Sequence, residues 1–376
     1  MAAGDFDGEA RVTISSTKKL AGATLAAGLV LALAACGQAP ADNNTDGGGE
    51  ATADFIPCIV SDFGGFDDKS FNQLSLEGVN MAADELGVKV KKAESNTETE
   101  YGPNVDNMVG EGCNAIVSVG FALSQATIDA AIANPDTDFI LVDDAADADF
   151  DGKADAENVK PLLYNTAEAA FLAGYLSAGY STTGKVGTFG GMEFPTVTIF
   201  MDGFKQGVDH YNTENSASVQ VIGWDGTTGS FTGGFEANQE AKSVAKNILD
   251  QGVDVIMPVG GPIYQSALQA ISESGNEVAL VGVDADLFNT DPTTKDVVLT
   301  SVLKSMDISV YEAVLSVAND EFTGEPYVGT LENEGVGLAP LHNFEGKVDA
   351  ELMKKVEQIK KDIIDGKITV TSYLSK

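Results

Sequence analysis

"FIPCIVSDFGGFDDKSFNQLSLEGVNMAADELGVKV", residues 55–90, decides the fold. Its first six residues form an apolar, β-branched run. A loop rich in Gly and Asp follows, and from Ser70 onward Phe71, Leu74, Val79, Ala82 and Leu86 recur near one face at helical spacing. Val88–Val90 then starts a second β-branched run. A strand, a covering helix and another strand make a βαβ unit, whose strands pair in parallel.

The same alternation runs down the chain. Short apolar runs at Ile59–Ser61, Val88–Val90, Ala115–Val119, Phe139–Val142, Val186–Phe189, Val219–Ile222, Val255–Val259 and Ala279–Val283 are separated by longer helical stretches, and Val297–Val302 adds another. One late helix, "DISVYEAVLSVAND", aligns Ile308, Tyr311, Ala313, Val314 and Val317. That many strands suit two open sheets better than one, and 376 residues exceed what a single core usually serves. The expected class is therefore α/β, two Rossmann-like lobes joined by a hinge. We place lobe 1 at 54–162 and 285–325, and lobe 2 at 163–284 and 326–376. Val159-Lys160-Pro161-Leu162 and the glycine-rich Gly329–Pro340 are the expected crossings, and the two halves read as possible copies of one plan.

Composition narrows the partners. With 22 Lys+Arg against 57 Asp+Glu the net charge is −35, a field that repels DNA, RNA and free nucleotides. Arg11, Lys18 and Lys19 precede an apolar stretch, Leu20–Ala35, that is short for a membrane span and ends in Leu33-Ala34-Ala35-Cys36-Gly37. This resembles a bacterial lipobox. We expect 1–35 to be a lipoprotein signal peptide, Cys36 to take the lipid, and the polar, Gly-rich 36–53 to be a flexible tether from membrane to domain. Outside the cytoplasm Cys58 and Cys113 are open to pairing; two buried thiols are the alternative.

Enzyme signatures are sparse. His210 and His342 are the only histidines, so a zinc helix bearing two His one turn apart is excluded, and no Gly-rich phosphate loop ends in Lys-Ser/Thr. Asp147, Asp149, Asp151 and Gly152 have the spacing of half a calcium loop, but Asn158 stands where the closing Glu belongs. A solvated acidic loop is the simpler reading; neither metal nor cofactor is expected.

Open α/β sheets bind ligands outside the carboxyl ends of their strands, so the residues that follow each run form the candidate site. These are Asp62 and the Phe66–Asn72 stretch, Gly120-Phe121, Asp143-Asp144, Gly190-Gly191-Met192, Trp224, Asp225 and Phe231, Gly260-Gly261, Asp284 and Asp286, and Lys304. Carboxylates, aromatics and glycines recur there.

"SDFGGFDDKSFNQLSLEG", "GCNAIVSVGF", "GKVGTFGGMEFPTVTIFMDGFKQGV" and "LVGVDADLFN" with "LTSVLKSMD" resemble the basic membrane protein family, the PnrA-like nucleoside-binding lipoproteins of bacterial ABC importers. The likeness runs from about residue 55 to the C-terminus. It implies a type I periplasmic-binding-protein fold with a purine nucleoside in the interlobe cleft. It also implies a membrane permease as partner, an extracytoplasmic, lipid-anchored, monomeric receptor, and no catalysis. By the same resemblance Phe71 is one aromatic wall and Phe231 the other, with Trp224 and Phe235 as rivals in that loop. Asn72 and either Asp143 or Asp144 read the base edge, while Asp62, Gly261, Asp284 and Lys304 hold the ribose. A sugar-binding protein of the same fold and a nucleoside hydrolase-like enzyme are the competing readings.

Overall fold

The computed structural model describes residues 55–149 and 151–375, so the expected signal peptide, Cys36 and the tether lie outside the described residues. The first lobe opens with β1 (Pro57–Val60), α1 (Phe71–Leu86), β2 (Lys91–Ala93), α2 (Tyr101–Gly110), β3 (Ala115–Val119), α3 (Ser124–Ala133), β4 (Asp138–Val142) and β5 (Val159–Tyr164). Next come α4 (Thr166–Tyr180), β6 (Lys185–Gly190), α5 (Pro195–Asn215), β7 (Gln220–Ile222), α6 (Gln239–Leu249), β8 (Val255–Val259), α7 (Ile263–Ser274), β9 (Ala279–Asp284), α8 (Leu287–Thr290) and β10 (Val298–Lys304). The chain ends with α9 (Met306–Ala318), β11 (Tyr327–Gly329), β12 (Val336–Leu338) and α10 (Ala350–Ile364).

Two six-stranded sheets result, in the orders β11-β5-β4-β3-β1-β2 and β12-β10-β9-β8-β6-β7. They are the same arrangement built twice, differing in that β12 is antiparallel to its neighbour while β11 is parallel. Three segments pass between the sheets: after Tyr164, after Lys304, and from β11 to β12. Main-chain bonds hold them side by side, from the Asn165 amide to the Gly329 carbonyl at 2.8 Å and from the Ser305 amide to the Gly335 carbonyl at 3.0 Å.

This connectivity departs from the expected lobe limits. Val298–Lys304 pairs with β9 in the second sheet, because the short α8 returns the chain to the adjacent position, and the crossing comes only after Lys304. Val159–Tyr164 is a strand of the first sheet rather than a crossing, and Tyr327–Gly329 also belongs to the first sheet. The second strand also starts later than Val88. The Val88 amide closes the C-terminal turn of α1 onto the Ala83 carbonyl, around Gly87 at φ 69°, so residues up to Val90 serve the turn.

The strands are buried because helices cover both faces of a parallel sheet. α4 is buried along most of its length and crosses α5 at backbone contact. A methyl group on Gly174 would stand 2.0 Å from the Phe204 carbonyl oxygen, and one on Gly207 as close to that of Phe171. Among the described residues, no helix is long and apolar enough to cross a membrane. Cys58 on β1 is disulfide-bonded to Cys113, just before the neighbouring β3, with Cα atoms 6.0 Å apart, which decides between the two readings of these cysteines.

Candidate functional site

The carboxyl ends of the two sheets face each other across a cleft that encloses about 550 Å³ of non-atom space out to its mouth, within the usual range for small-molecule sites. Asp62 leaves the end of β1, and the loop then turns into α1. Asp68 starts that helix by accepting from the amides of Ser70, Asn72 and Gln73 at 2.9–3.0 Å, which places Phe71 and Asn72 on the first turn, facing the cleft. Ser70 reaches across to the other lobe, its hydroxyl 3.1 Å from the Val283 carbonyl and 3.3 Å from the Asp284 carboxylate.

Asn72 is fixed in orientation. Its side-chain N–H groups donate to Asp62 Oδ1 at 2.9 Å and to the Phe63 carbonyl at 3.1 Å, and a carbonyl can only accept, so Oδ1 is the free end. That oxygen is buried without a hydrogen-bond partner; Asp284 Oδ1 is also buried and accepts no hydrogen bond, but it has the Lys304 ammonium 3.5 Å away as an ion-pair partner. Buried polar atoms normally find partners, so the unpaired Asn72 Oδ1 in this cleft marks it as a binding surface. Gly120 is required here: at φ 105° it adopts a conformation other residues avoid, and a Cβ would lie 2.2 Å from an Asp62 carboxylate oxygen.

Asp143 and Asp284 occupy equivalent places after β4 and at the end of β9, and both are left-handed, with φ of 65° and 66°. Between them lies Lys304, whose side chain is 3% exposed. Its Nζ contacts the Asp143 carboxylate and lies 3.5 Å from Asp284 Oδ1. The rings of Phe71, Phe200 and Tyr164 surround it with centroids at 5.0, 5.1 and 5.6 Å. Burial alone would lower the Lys304 pKa, but the two carboxylates overcome it and raise it. Burial pushes Asp143 up to about 6 in spite of Lys304, and raises Asp284 likewise. Asp62 is pushed up to about 8 by burial, against the Asn72 hydrogen bond and aided by the other acids, so it holds a proton at neutral pH.

Of the residues expected from sequence, Asp62, Phe71, Asn72, Asp143, Gly261, Asp284 and Lys304 line this cleft. Asp144 and Phe231 do not line it. Asp144 is buried within its own lobe, accepting from the Ser124 hydroxyl at 2.6 Å and the Ala146 amide at 2.7 Å. Phe231 pairs by its main chain with Gly190 and sets its ring edge-on to Trp224 at 6.2 Å; Trp224 itself is buried and donates to Asp202 at 2.9 Å. The ring that reaches the cleft from this loop is Phe235, and bare backbone makes room for it: a Cβ on Gly191 or Gly260 would stand 2.4 or 2.6 Å from it. Gly191 and Gly260 were the readable sign of that choice, whereas Gly190 makes room for Phe231.

Phe63, Phe194, Thr196, Val197 and Phe200 also line the cleft and were not anticipated. Phe194 packs on Phe121 of the opposite lobe with centroids 5.0 Å apart, and on Phe235 at 6.0 Å. Pro195, at the first helical position of α5, was the readable sign that Phe194-Pro195-Thr196 delivers a helix start to the end of β6. The histidines stand elsewhere: His210 packs by Phe171 and Tyr175, and His342 stacks on Phe288 and bonds to Asp286. Carboxylate oxygens of Asp147, Asp149 and Asp151 gather within 4.8 Å of one another, but Asn158 points away, donating to the carbonyls of Ala131, Asn134 and Thr137.

Residues 57–372 match the family model described as "ABC transporter substrate-binding protein PnrA-like". The chain is 29% identical over 370 residues to the "ABC transporter nucleoside-binding protein BmpA" of Lactococcus lactis subsp. cremoris, covering 94% of this chain and 98% of that one. It is 27% identical over 330 residues to basic membrane protein D of Borreliella burgdorferi, covering 86% and 89% of the two chains. Among solved structures, an ABC transporter system solute-binding protein from Aeropyrum pernix superposes with a TM-score of 0.76 at 25% identity, covering 85% of this chain and 94% of the other.

Proposed function

Because the chain belongs to the family of PnrA-like ABC transporter substrate-binding proteins, we propose that it captures a purine nucleoside between its lobes and presents it to a membrane permease for import. The observation that carries this reading is the pairing, in one cleft, of phenyl rings from opposite lobes, Phe71 and Phe235, with the orphan acceptor Asn72 Oδ1 and the buried Asp284 carboxylate. A flat, uncharged heterocycle buries both faces between such rings, and stacking of this kind contributes about 1–3 kcal/mol per base. In this reading Asn72 and Asp143 meet the base edge, and Asp62, Gly261, Asp284 and Lys304 hold the sugar, whose hydroxyls are donors that carboxylates accept well. Phosphorylated ligands are repelled by the acids left ionised around the single lysine.

Closure is a population shift. The lobes already touch through Ser70 with Val283 and Asp284, and through Lys304 with Asp143, and a ligand contacting both sides adds its own bridging contacts to the closed form. We further propose that the working protein is a monomer on the extracytoplasmic face, lipid-anchored through Cys36, and that no covalent step occurs. Native mass spectrometry of protein purified from cells, followed by titration calorimetry with guanosine, adenosine, ribose and guanosine monophosphate, tests the reading. Nucleosides are expected to bind, ribose and the nucleotide to bind far more weakly, and no free base to appear. Equal binding of ribose, or base release at a catalytic rate, overturns it.

A further inference from the structure

The cleft is rich in acceptors and short of free donors. Among its lining residues the side-chain donors are Lys304, engaged by Asp143 and Asp284; Asn72, whose amide N–H groups are taken by Asp62 and Phe63; the proton on Asp62; and Thr196. Thr196 is 9% exposed, and its hydroxyl bonds to no group among the described residues. It sits at the second position of α5, a 21-residue helix whose start lines the cleft. The preceding residue, Pro195, has no N–H, and the cap residue, Phe194, has no side-chain oxygen to accept from the first turn. The amides of Val197 and Thr198 both bond to the Phe194 carbonyl at 2.9 Å, which leaves the Thr196 amide as the uncommitted one of the turn. A free hydroxyl on a largely buried residue and an uncommitted helix-terminal N–H on the same residue, at the positive end of a long helix, form a donor pair open to an acceptor in the cleft.

We propose that Thr196 is a specificity-determining residue of the nucleoside site, donating to an acceptor atom of the heterocycle, while Asn72 Oδ1 on the opposite lobe takes a donor from it. The inference rests on the nucleoside reading above. The arrangement favours a base that carries both a ring or carbonyl acceptor and an N–H donor, as purines do, and disfavours an apolar ring of the same shape.

The test is titration calorimetry on the full chain and on Thr196→Val and Thr196→Ser, with guanosine, 7-deazaguanosine, which lacks the N7 acceptor, and 2-aminopurine riboside, which lacks the 6-oxo acceptor. Thr196→Val keeps the shape and removes the hydroxyl, and leaving an acceptor unpaired in a buried site weakens guanosine binding by at least ~5-fold. Thr196→Ser keeps the donor and is expected to stay near the parent. One of the two analogues binds the parent more weakly than guanosine does and is weakened no further by Thr196→Val. That coupling to one missing atom is a readout that mere packing does not produce, and Thr196→Ala, which also removes the hydroxyl, gives the same coupling test if Thr196→Val folds poorly. Unchanged guanosine binding by Thr196→Val, or an equal loss for all three ligands, overturns the assignment. A parent that binds none of the three overturns the nucleoside reading itself and the assignment with it, an outcome distinct from any behaviour of the variants.

Discussion

Asp62→Asn isolates the cost of placing a carboxyl at the head of the cleft. The substitution keeps the acceptor for the Asn72 amide at 2.9 Å and removes only the ability to ionise. In the folded chain Asp62 titrates at about 8 rather than 3.8, so the folded state binds its proton more tightly than the unfolded state does. The stabilisation this gives is complete below the unfolded value and is lost as pH rises through the folded value, so the parent weakens with increasing pH between about 4 and 8. A little over three pH units of that range lie below pH 7, and at about 1.4 kcal/mol each they amount to about 4 kcal/mol. Asp62 keeps some accessible surface toward the cavity it lines, and water admitted there lessens the shift, so this value is an upper bound. Urea unfolding of the disulfide-intact full chain and of Asp62→Asn at each pH from 4 to 8 measures it. The variant is expected to gain on the parent steadily as pH rises. Stability curves that run parallel across the range refute the reasoning.

Phe71→Ala and Phe235→Ala should each weaken guanosine binding by about 1–3 kcal/mol, whereas Phe231→Ala leaves it nearly unchanged; calorimetry on the three variants checks the choice of walls. Lys304→Met removes the one cation between Asp143 and Asp284 and should lower unfolding stability at pH 8 by about 3–5 kcal/mol, with recovery toward pH 5 as the acids protonate, read by chemical denaturation. The Cys58–Cys113 bridge closes a loop of 55 residues, so Cys58→Ala/Cys113→Ala is expected to unfold about 4 kcal/mol more easily in the same assay.

The central strands were legible because burial on both faces leaves a run of apolar residues that few other elements share, as at Ala115–Val119 and Val255–Val259. The edges were not. Lys91–Ala93 has no such run, and its start depends on how many residues the α1 C-cap consumes. Lobe membership of Val298–Lys304 was hidden for another reason: composition is the same in either sheet, and only the length of the connection through α8 decides which neighbour the strand reaches. In the site, residues directly after strands were found because the strand end fixes where they point. Phe231 and Phe235 share one irregular loop, where main-chain bonding at Gly190 decides which ring turns inward, and Thr196 lies on a helix start whose approach to the cleft is a property of tertiary packing.

The doubled architecture also bears on ligand orientation. Were the halves identical at the cleft, a bound molecule and the same molecule turned end over end would have equal energy, and half of the complexes would be seated backwards. Tyr164 and Lys304 hold corresponding places, each closing its strand before a crossing, and they pack against one another with the ammonium 5.6 Å from the phenol ring. Lys304 lines the cleft and Tyr164 does not, so the two ends of the cleft differ and the proposed nucleoside is expected to be held one way round.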